Sequence, residues 1–284
     1  MKSKSLQQEI RWLIDEKYGG NPPAGGAEAE RDIARLKKGE HIDYVMGWVD
    51  FAGCRINLSK RPLIPRPETE HWVKQAIEEM QSVASRTIKF SLRFTPHPPR
   101  ADVGTYASRK ISSFSRRPRV LDIFTGSGCI GVAVLKHIRG AHVDFAEKEK
   151  KFLKQIKINA ELNGIDSGRY RIFLSDIFSN IKGKYDYIFA NPPYVAEERK
   201  AKVQKSVLEQ EPNDAIFGGK DGLYYIRKFL KEARDHLKPS GKIYMEFDSF
   251  QKQAMAKLLK QFGYTHFEFF KDQYGKWRYA RIIF

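Results

Sequence analysis

The chain has 284 residues, 41% of them hydrophobic and 30% charged, with a formal net charge of +17 at neutral pH. That apolar content suits one large buried core with a small appendage. No apolar run is long enough to span a bilayer, the N-terminus lacks a signal-peptide core and there are only two cysteines, which leads us to expect no membrane partner, no disulfide frame and a reducing, cytoplasmic setting.

The excess of cations points to anionic partners. The seven histidines show no ligand spacing, so no metal is expected. In chain order, residues 5–17 and 27–38 read as two helices joined by a Gly/Pro-rich linker containing Asn21-Pro22-Pro23-Ala24, ordinary loop punctuation. Cys54 is most simply a packing residue. Between Met80 and Val120 stand Arg86, Lys89, Arg93, Arg100, Arg109, Lys110, Arg116, Arg117 and Arg119, opposed only by Asp102. With much Ser, Pro and Gly and no clear period, residues 82–118 read as a long, mobile insertion. It is either a solvated loop or a basic arm making nonspecific contact with RNA or ribosome surfaces, with Phe90, Phe94, Tyr106 and Phe114 available for stacking.

Residues 119–124 form a strand that runs into Thr125-Gly126-Ser127-Gly128 and then a helix over 129–138. Glycines let the backbone pass close under a ligand, and the N-terminus of the following helix offers free N–H groups to an anion. Cys129, at that helix start, is a candidate for a lowered pKa, although the chemistry expected here needs no thiol. A second strand over 142–146 ends at Glu147, nineteen positions beyond Gly128, the spacing of an acid that binds ribose hydroxyls. A helix-end acid favoured by the macrodipole is the plainer reading. A helix over 148–163 places Phe152, Leu153, Ile156 and Ala160 on one face and stops at Gly164. A strand over 170–175 ends at Asp176.

The most informative stretch comes next. The apolar strand 185–190 stops at Asn191-Pro192-Pro193-Tyr194, and in an open α/β sheet ligands bind outside the carboxyl ends of the strands. An Asn oxygen accepts from an NH2 group, two prolines carry no N–H and leave nearby carbonyls free, and Tyr194 offers a face to a planar group. Residues 197–211 form a polar excursion that would lid this loop. Helices over 222–237 and 249–262 surround a strand over 242–247, and strands 266–271 and 277–284 close the chain. Gly218-Gly219-Lys220-Asp221 lacks the spacing and the hydroxyl of a phosphate loop. The pattern is α/β, a doubly wound sheet.

With Leu63-Ile64-Pro65-Arg66-Pro67-Glu68-Thr69-Glu70, the block from Glu211-Pro212 to Gly222-Leu223, and Leu237-Lys238-Pro239-Ser240-Gly241, these motifs make the chain resemble the HemK/PrmC family. These are peptide-chain-release-factor glutamine methyltransferases, within the class I S-adenosyl-L-methionine (AdoMet) methyltransferases. The resemblance runs from about residue 38 to the C-terminus apart from the insertion. It implies a mostly parallel seven-stranded sheet with a C-terminal antiparallel strand, a domain over 46–284, and a short helical substrate-recognition region over 1–45. It implies AdoMet as methyl donor, S-adenosyl-L-homocysteine as product, and a glutamine in the Gly-Gly-Gln loop of a release factor as acceptor. Phe124, Thr125, Gly126, Ser127 and Gly128 would hold the methionine part, Glu147 the ribose, and Asp176 and Ile177 would flank the adenine. Asn191, Pro192, Pro193 and Tyr194 would hold the acceptor amide.

The chain departs from the family at Phe124, where a glycine is usual. A bulky residue is expected either to reshape the turn or to weaken cofactor binding. The N-terminal region is also short. Methylation of an adenine or guanine amino group, methylation of a ribosomal-protein glutamine, and a non-catalytic RNA-binding role remain as alternatives. An exocyclic NH2 would be held by the same loop.

Overall fold

The computed structural model describes residues 5–20, 26–93 and 117–284, with only the backbone described for 84–93. The stretch Asn21-Pro22-Pro23-Ala24 and the middle of the basic insertion, residues 94–116, lie outside the described residues.

Three short helices come first: α1 (Leu6–Tyr18), α2 (Ala27–Lys37) and α3 (Ile42–Met46). Ser5 caps α1 through a reciprocal capping box with Gln8. Leu13, Leu36, Ile42, Val45 and Met46 form a small separate core. Asp32 is buried at its edge and accepts from Lys17, Tyr18 and Arg35. Burial alone would push its carboxyl up, but these donors outweigh that and hold it below the usual range.

A hairpin that the residue pattern did not suggest follows, β1 (Trp48–Phe51) with β2 (Cys54–Asn57). Ala52 and Gly53 turn it with φ of 48° and 74°, the left-handed pair that matches strand twist. Cys54 is buried, as a packing residue should be, and burial raises its thiol to about 11.

Helix α4 (Pro67–Arg93) is the largest departure from expectation. Proline suits the first helical position, and Glu68 and Glu70 complement the dipole there. Trp72, Val73, Ala76, Ile77 and Met80 repeat at helical spacing and are buried. Residues 82–93, assigned from composition to a mobile insertion, therefore continue this helix.

The main sheet has seven strands: β3 (Arg119–Ile123), β4 (His142–Glu147), β5 (Tyr170–Leu174), β6 (Tyr185–Ala190), β7 (Leu237–Glu246), β8 (His266–Lys271) and β9 (Trp277–Ile283). Their order is β5-β4-β3-β6-β7-β9-β8, parallel throughout except that β9 runs against both its neighbours. The seven-stranded, mostly parallel sheet is as expected. Leu121, Phe145, Ile188 and Ile243 are fully buried because helices cover both faces. On one face lie α4, α5 (Cys129–His137) and α6 (Lys150–Leu162), and on the other α8 (Tyr224–Glu232) and α9 (Lys252–Gln261). A short α7 (Lys205–Gln210) lies in the excursion after β6. The β7 strand begins at Leu237, not 242, because Tyr185 pairs with Leu237 across a register shift.

Strand order reverses between β3 and β6, which makes their carboxyl ends the place where a crevice opens. Gly131 lets α5 lie tight on the sheet, since a Cβ there would overlap the Phe145 ring. Amide side chains of α6 tie β2 to the same body: Asn159 and Asn163 each bond β2 backbone in both directions, and Gln155 donates to the Asn57 carbonyl at 2.8 Å. An otherwise bare strand edge is thereby covered.

Candidate active site

A cleft opens at that crevice, and its lining joins stretches far apart in sequence: residues 63–66 with Thr69, the turn 124–127, Glu147, Ser175 to Ile177, Asn191 with Pro193, and Pro212 to Ala215 apart from Asn213. The turn after β3, the two acidic strand ends and the loop after β6 are thus brought together.

The turn runs through the left-handed region three times, at Phe124 (φ 60°), Gly126 (φ 55°) and Gly128 (φ 83°). Of the two outcomes expected for Phe124, a reshaped turn is not what the structure shows. The backbone keeps the glycine-like conformation, at a cost of about 1–2 kcal/mol for an L-residue. The phenyl ring offsets this by packing edge-on against Tyr225 at 6.1 Å and against Phe229 at 6.2 Å. Ile177 is a second residue of this kind, buried with φ 53°, and a β-branched side chain makes it a true outlier. Ser175 Oγ donates to its carbonyl at 2.8 Å and helps hold it. Two strained residues lining one cleft are the pattern of a binding site.

Glu147 is buried and accepts from the Gly126 amide at 2.7 Å and the Glu149 amide at 2.8 Å. It lines the cleft and also holds the backbone at the start of α6. Burial pushes its carboxyl up against the pull of these N–H groups. Asp122, fully buried behind the turn, accepts from the Gly131 amide at 2.9 Å, while its Oδ1 has no partner among the described residues. Burial, with Glu147 adding to it, holds the Asp122 carboxyl well above the usual range. Asp176 is exposed and lies 3.4 Å from Lys228.

Cys129 differs from expectation. It is buried beside the turn, and desolvation raises its thiol to about 12, so the lowered pKa considered from its helix-start position is absent.

In the loop after β6, Asn191 and Pro193 line the cleft, whereas Pro192 and Tyr194 do not. Tyr194 is half-buried: its hydroxyl donates to Glu246 at 2.8 Å, and burial holds its pKa well above the ordinary value. Gln251 donates to the Tyr194 carbonyl at 2.9 Å, and Val195 bridges Phe217. Gly218 and Gly222 permit that close approach, because a Cβ on either would collide with the carbonyls of Pro193 or Tyr194. The excursion 197–211 is not a loose lid at its far end. Glu211 is buried, accepting from Arg66 and from the Ile64 amide at 3.2 Å, and Gln210 is bonded to Gly39 and His41.

Trp72 and Glu246 went unnoticed in the sequence, and Thr69 was read only as part of a motif. All are buried, and Glu246 accepts from Thr69 Oγ1 and from Trp72 Nε1, both at 2.7 Å. The available signal was one acid at the carboxyl end of the apolar run 243–247.

Comparison with known proteins agrees with this geometry. Residues 100–275 match the family described as Methyltransferase small domain. The release factor glutamine methyltransferase of Streptococcus pneumoniae is 33% identical over 275 residues, covering 96% of this chain and 81% of that protein. The one from Flavobacterium psychrophilum is 30% identical over 262 residues, covering 90% and 79%. In fold, the hMettl16 catalytic domain, solved with the MAT2A 3'UTR hairpin 6, superposes with a TM-score of 0.55 at 14% identity over 91% of this chain and 80% of that one. Shared identity over nearly the whole length, together with the seven-stranded sheet and the cleft at its switch point, makes this chain a member of the release factor glutamine methyltransferase family.

Proposed function

We propose that the protein methylates the side-chain amide nitrogen of a glutamine, in the Gly-Gly-Gln loop of a peptide chain release factor, with AdoMet as donor and S-adenosyl-L-homocysteine as product. The observation that carries this reading is that Asn191, at the end of β6, lines the same cleft as the glycine turn and Glu147.

The residues present suit the cofactor. Glu147 is a buried acceptor facing the cleft, the turn 124–128 offers close-passing backbone, and Ile177 with Phe152 supplies apolar wall for a planar base. Glu147 would take the ribose hydroxyls, residues 124–128 the methionine part, and Asp176 with Ile177 the adenine edge. When bound, AdoMet supplies an electrophilic methyl group on a sulfonium.

An amide nitrogen is a poor nucleophile because its lone pair is delocalised into the carbonyl, so the protein must act through position. The Asn191 oxygen accepts one amide hydrogen. The Pro192 carbonyl, next in the chain to the cleft-lining Asn191 and Pro193, would accept the other. Both grips strengthen as positive charge builds on the nitrogen. Tyr194 is no base for this step, since its proton is held on Glu246. A glutamine flanked by glycines sits on a mobile tip and enters such a crevice at low steric cost.

Residues 1–45 would serve substrate recognition and 46–284 catalysis. The basic stretch 82–118 would add nonspecific contact to RNA or ribosome surfaces, as its charge suggests. A cytoplasmic setting fits a release-factor substrate. Among the described residues no helix is long and apolar enough to cross a membrane. Mass spectrometry of release factor incubated with the enzyme and AdoMet should show a single methyl on the glutamine side chain. Label in nuclease-sensitive material, with the release factor unmodified, would instead select a nucleic-acid amino group as acceptor.

A further inference from the structure

A primary amide has nearly the same shape in either of its two flips, yet Asn191 can accept from a substrate N–H only if its oxygen, and not its NH2, faces the cleft. Something must choose. Glu246 ends β7 fully buried, with Thr69 Oγ1 and Trp72 Nε1 on one carboxylate oxygen and the Tyr194 hydroxyl on the other. An indole N–H only donates and a carboxylate only accepts, so Thr69 commits its single proton to Glu246. Its lone pairs then face away from Glu246, and the group that meets them is Asn191 Nδ2, at 3.4 Å. A hydroxyl whose proton is already committed can receive only a donor. Asn191 therefore turns its NH2 toward Thr69 and its oxygen the other way. In the opposite flip it would present hydrogens to the hydrogens of the acceptor amide and leave them unpaired.

We propose that Thr69, oriented by Glu246, is a positioning residue that fixes the flip of the Asn191 amide and thereby the grip on the acceptor nitrogen. The inference rests on the glutamine-amide reading given above. Its parts sit on the first turn of α4 and at the carboxyl ends of β6 and β7, rigid elements suited to holding one orientation. A merely structural Thr69 would need its shape and β-branching. A positioning Thr69 needs its oxygen.

Thr69→Val keeps the shape and removes the hydroxyl, and Thr69→Ser keeps the hydroxyl and removes the methyl. Methyl transfer to a release-factor peptide carrying Gly-Gly-Gln gives kcat and the acceptor KM, while calorimetry gives AdoMet affinity and melting curves report the fold. Thr69→Val should lose about 10- to 100-fold in kcat, the size expected of a misaimed catalytic group. Its AdoMet affinity should stay within about threefold of wild type, and Thr69→Ser should recover most of the rate. If Thr69→Val does not fold, Thr69→Cys, whose sulfur is a poor acceptor, takes its place and should fall below Thr69→Ser. A Val or Cys variant as fast as Thr69→Ser, or a loss confined to AdoMet affinity, overturns the inference. A wild-type enzyme that leaves the peptide unmethylated overturns the substrate reading as well, whereas an active wild type with an equally active Thr69→Val overturns this inference alone.

Discussion

The turn after β3 carries strain in its own backbone and is held in addition by Glu147 and Asn159, whereas the loop after β6 carries no such strain and is held by distant parts of the chain. In the turn, three of five residues from Phe124 to Gly128 have positive φ, and the Gly128 amide and Thr125 hydroxyl bond to neighbours within three residues. The loop has no such strain. Its Asn191 meets Thr69, its Tyr194 hydroxyl meets Glu246, and its Tyr194 carbonyl meets Gln251, over separations of 122, 52 and 57 residues. The cofactor wall should accordingly be sensitive to changes within the turn and the acids beside it, and the acceptor wall to changes in helices and loops that are remote in sequence.

Asn191→Ala should break the acceptor wall most completely. Losing one preorganised polar contact to the developing charge costs about 10²–10³ in kcat, and calorimetry should find AdoMet affinity nearly unchanged. Retained turnover would remove the amide grip. Gly222→Ala sharpens the contrast, since its Cβ would strike the Tyr194 carbonyl and Gln251 from outside the cleft. We expect about 1–3 kcal/mol of lost stability from the overpacking, together with slower transfer and intact AdoMet binding. Equal losses at both walls would show the two supports to be one.

Glu147→Gln tests the other wall. AdoMet binding should weaken by about 1–3 kcal/mol, the usual worth of hydrogen bonds to a charged acceptor, while transfer at saturating AdoMet stays near wild type. Unchanged affinity would leave Glu147 as the holder of the α6 start alone. Deleting residues 94–115, beyond the end of α4, should disturb neither wall and should only flatten the salt dependence of nonspecific RNA binding, because fewer cations remain to displace phosphate counterions. An unchanged salt slope would reduce this stretch to a solvated segment.

The contrast between the walls also explains what could be read from the sequence. The strand, glycine turn and helix at 119–138, the acid at 147 and the strand stop at 191 are local patterns, and each falls where expected. Composition misled at 82–93, where Ser and basic residues suggested a loop although the apolar spacing that begins at Trp72 had already started a helix. Phe124 misled for another reason. A steric rule for one residue allowed a reshaped turn because it did not count the rings of α8 that receive the side chain. The Thr69, Trp72 and Glu246 cluster was illegible because no periodicity links position 69 to position 246. Only the folded sheet puts a helix start against a strand end.

Helix α4 carries one more consequence, which concerns timing. Its partners lie near the far end of the chain: Thr69 meets Glu246, Gln75 meets Tyr279, and Glu79 meets Arg281. During synthesis this helix emerges early and gains the last of these partners only when the final strand has been made and paired, while β3, β4 and the turn between them can dock as soon as they appear. Long-range contacts of this kind form late and leave apolar surface waiting. A nascent chain would thus complete the wall beside Glu147 before the wall beside Asn191, and a chain halted ahead of β9 would lack the Tyr279 and Arg281 partners of α4.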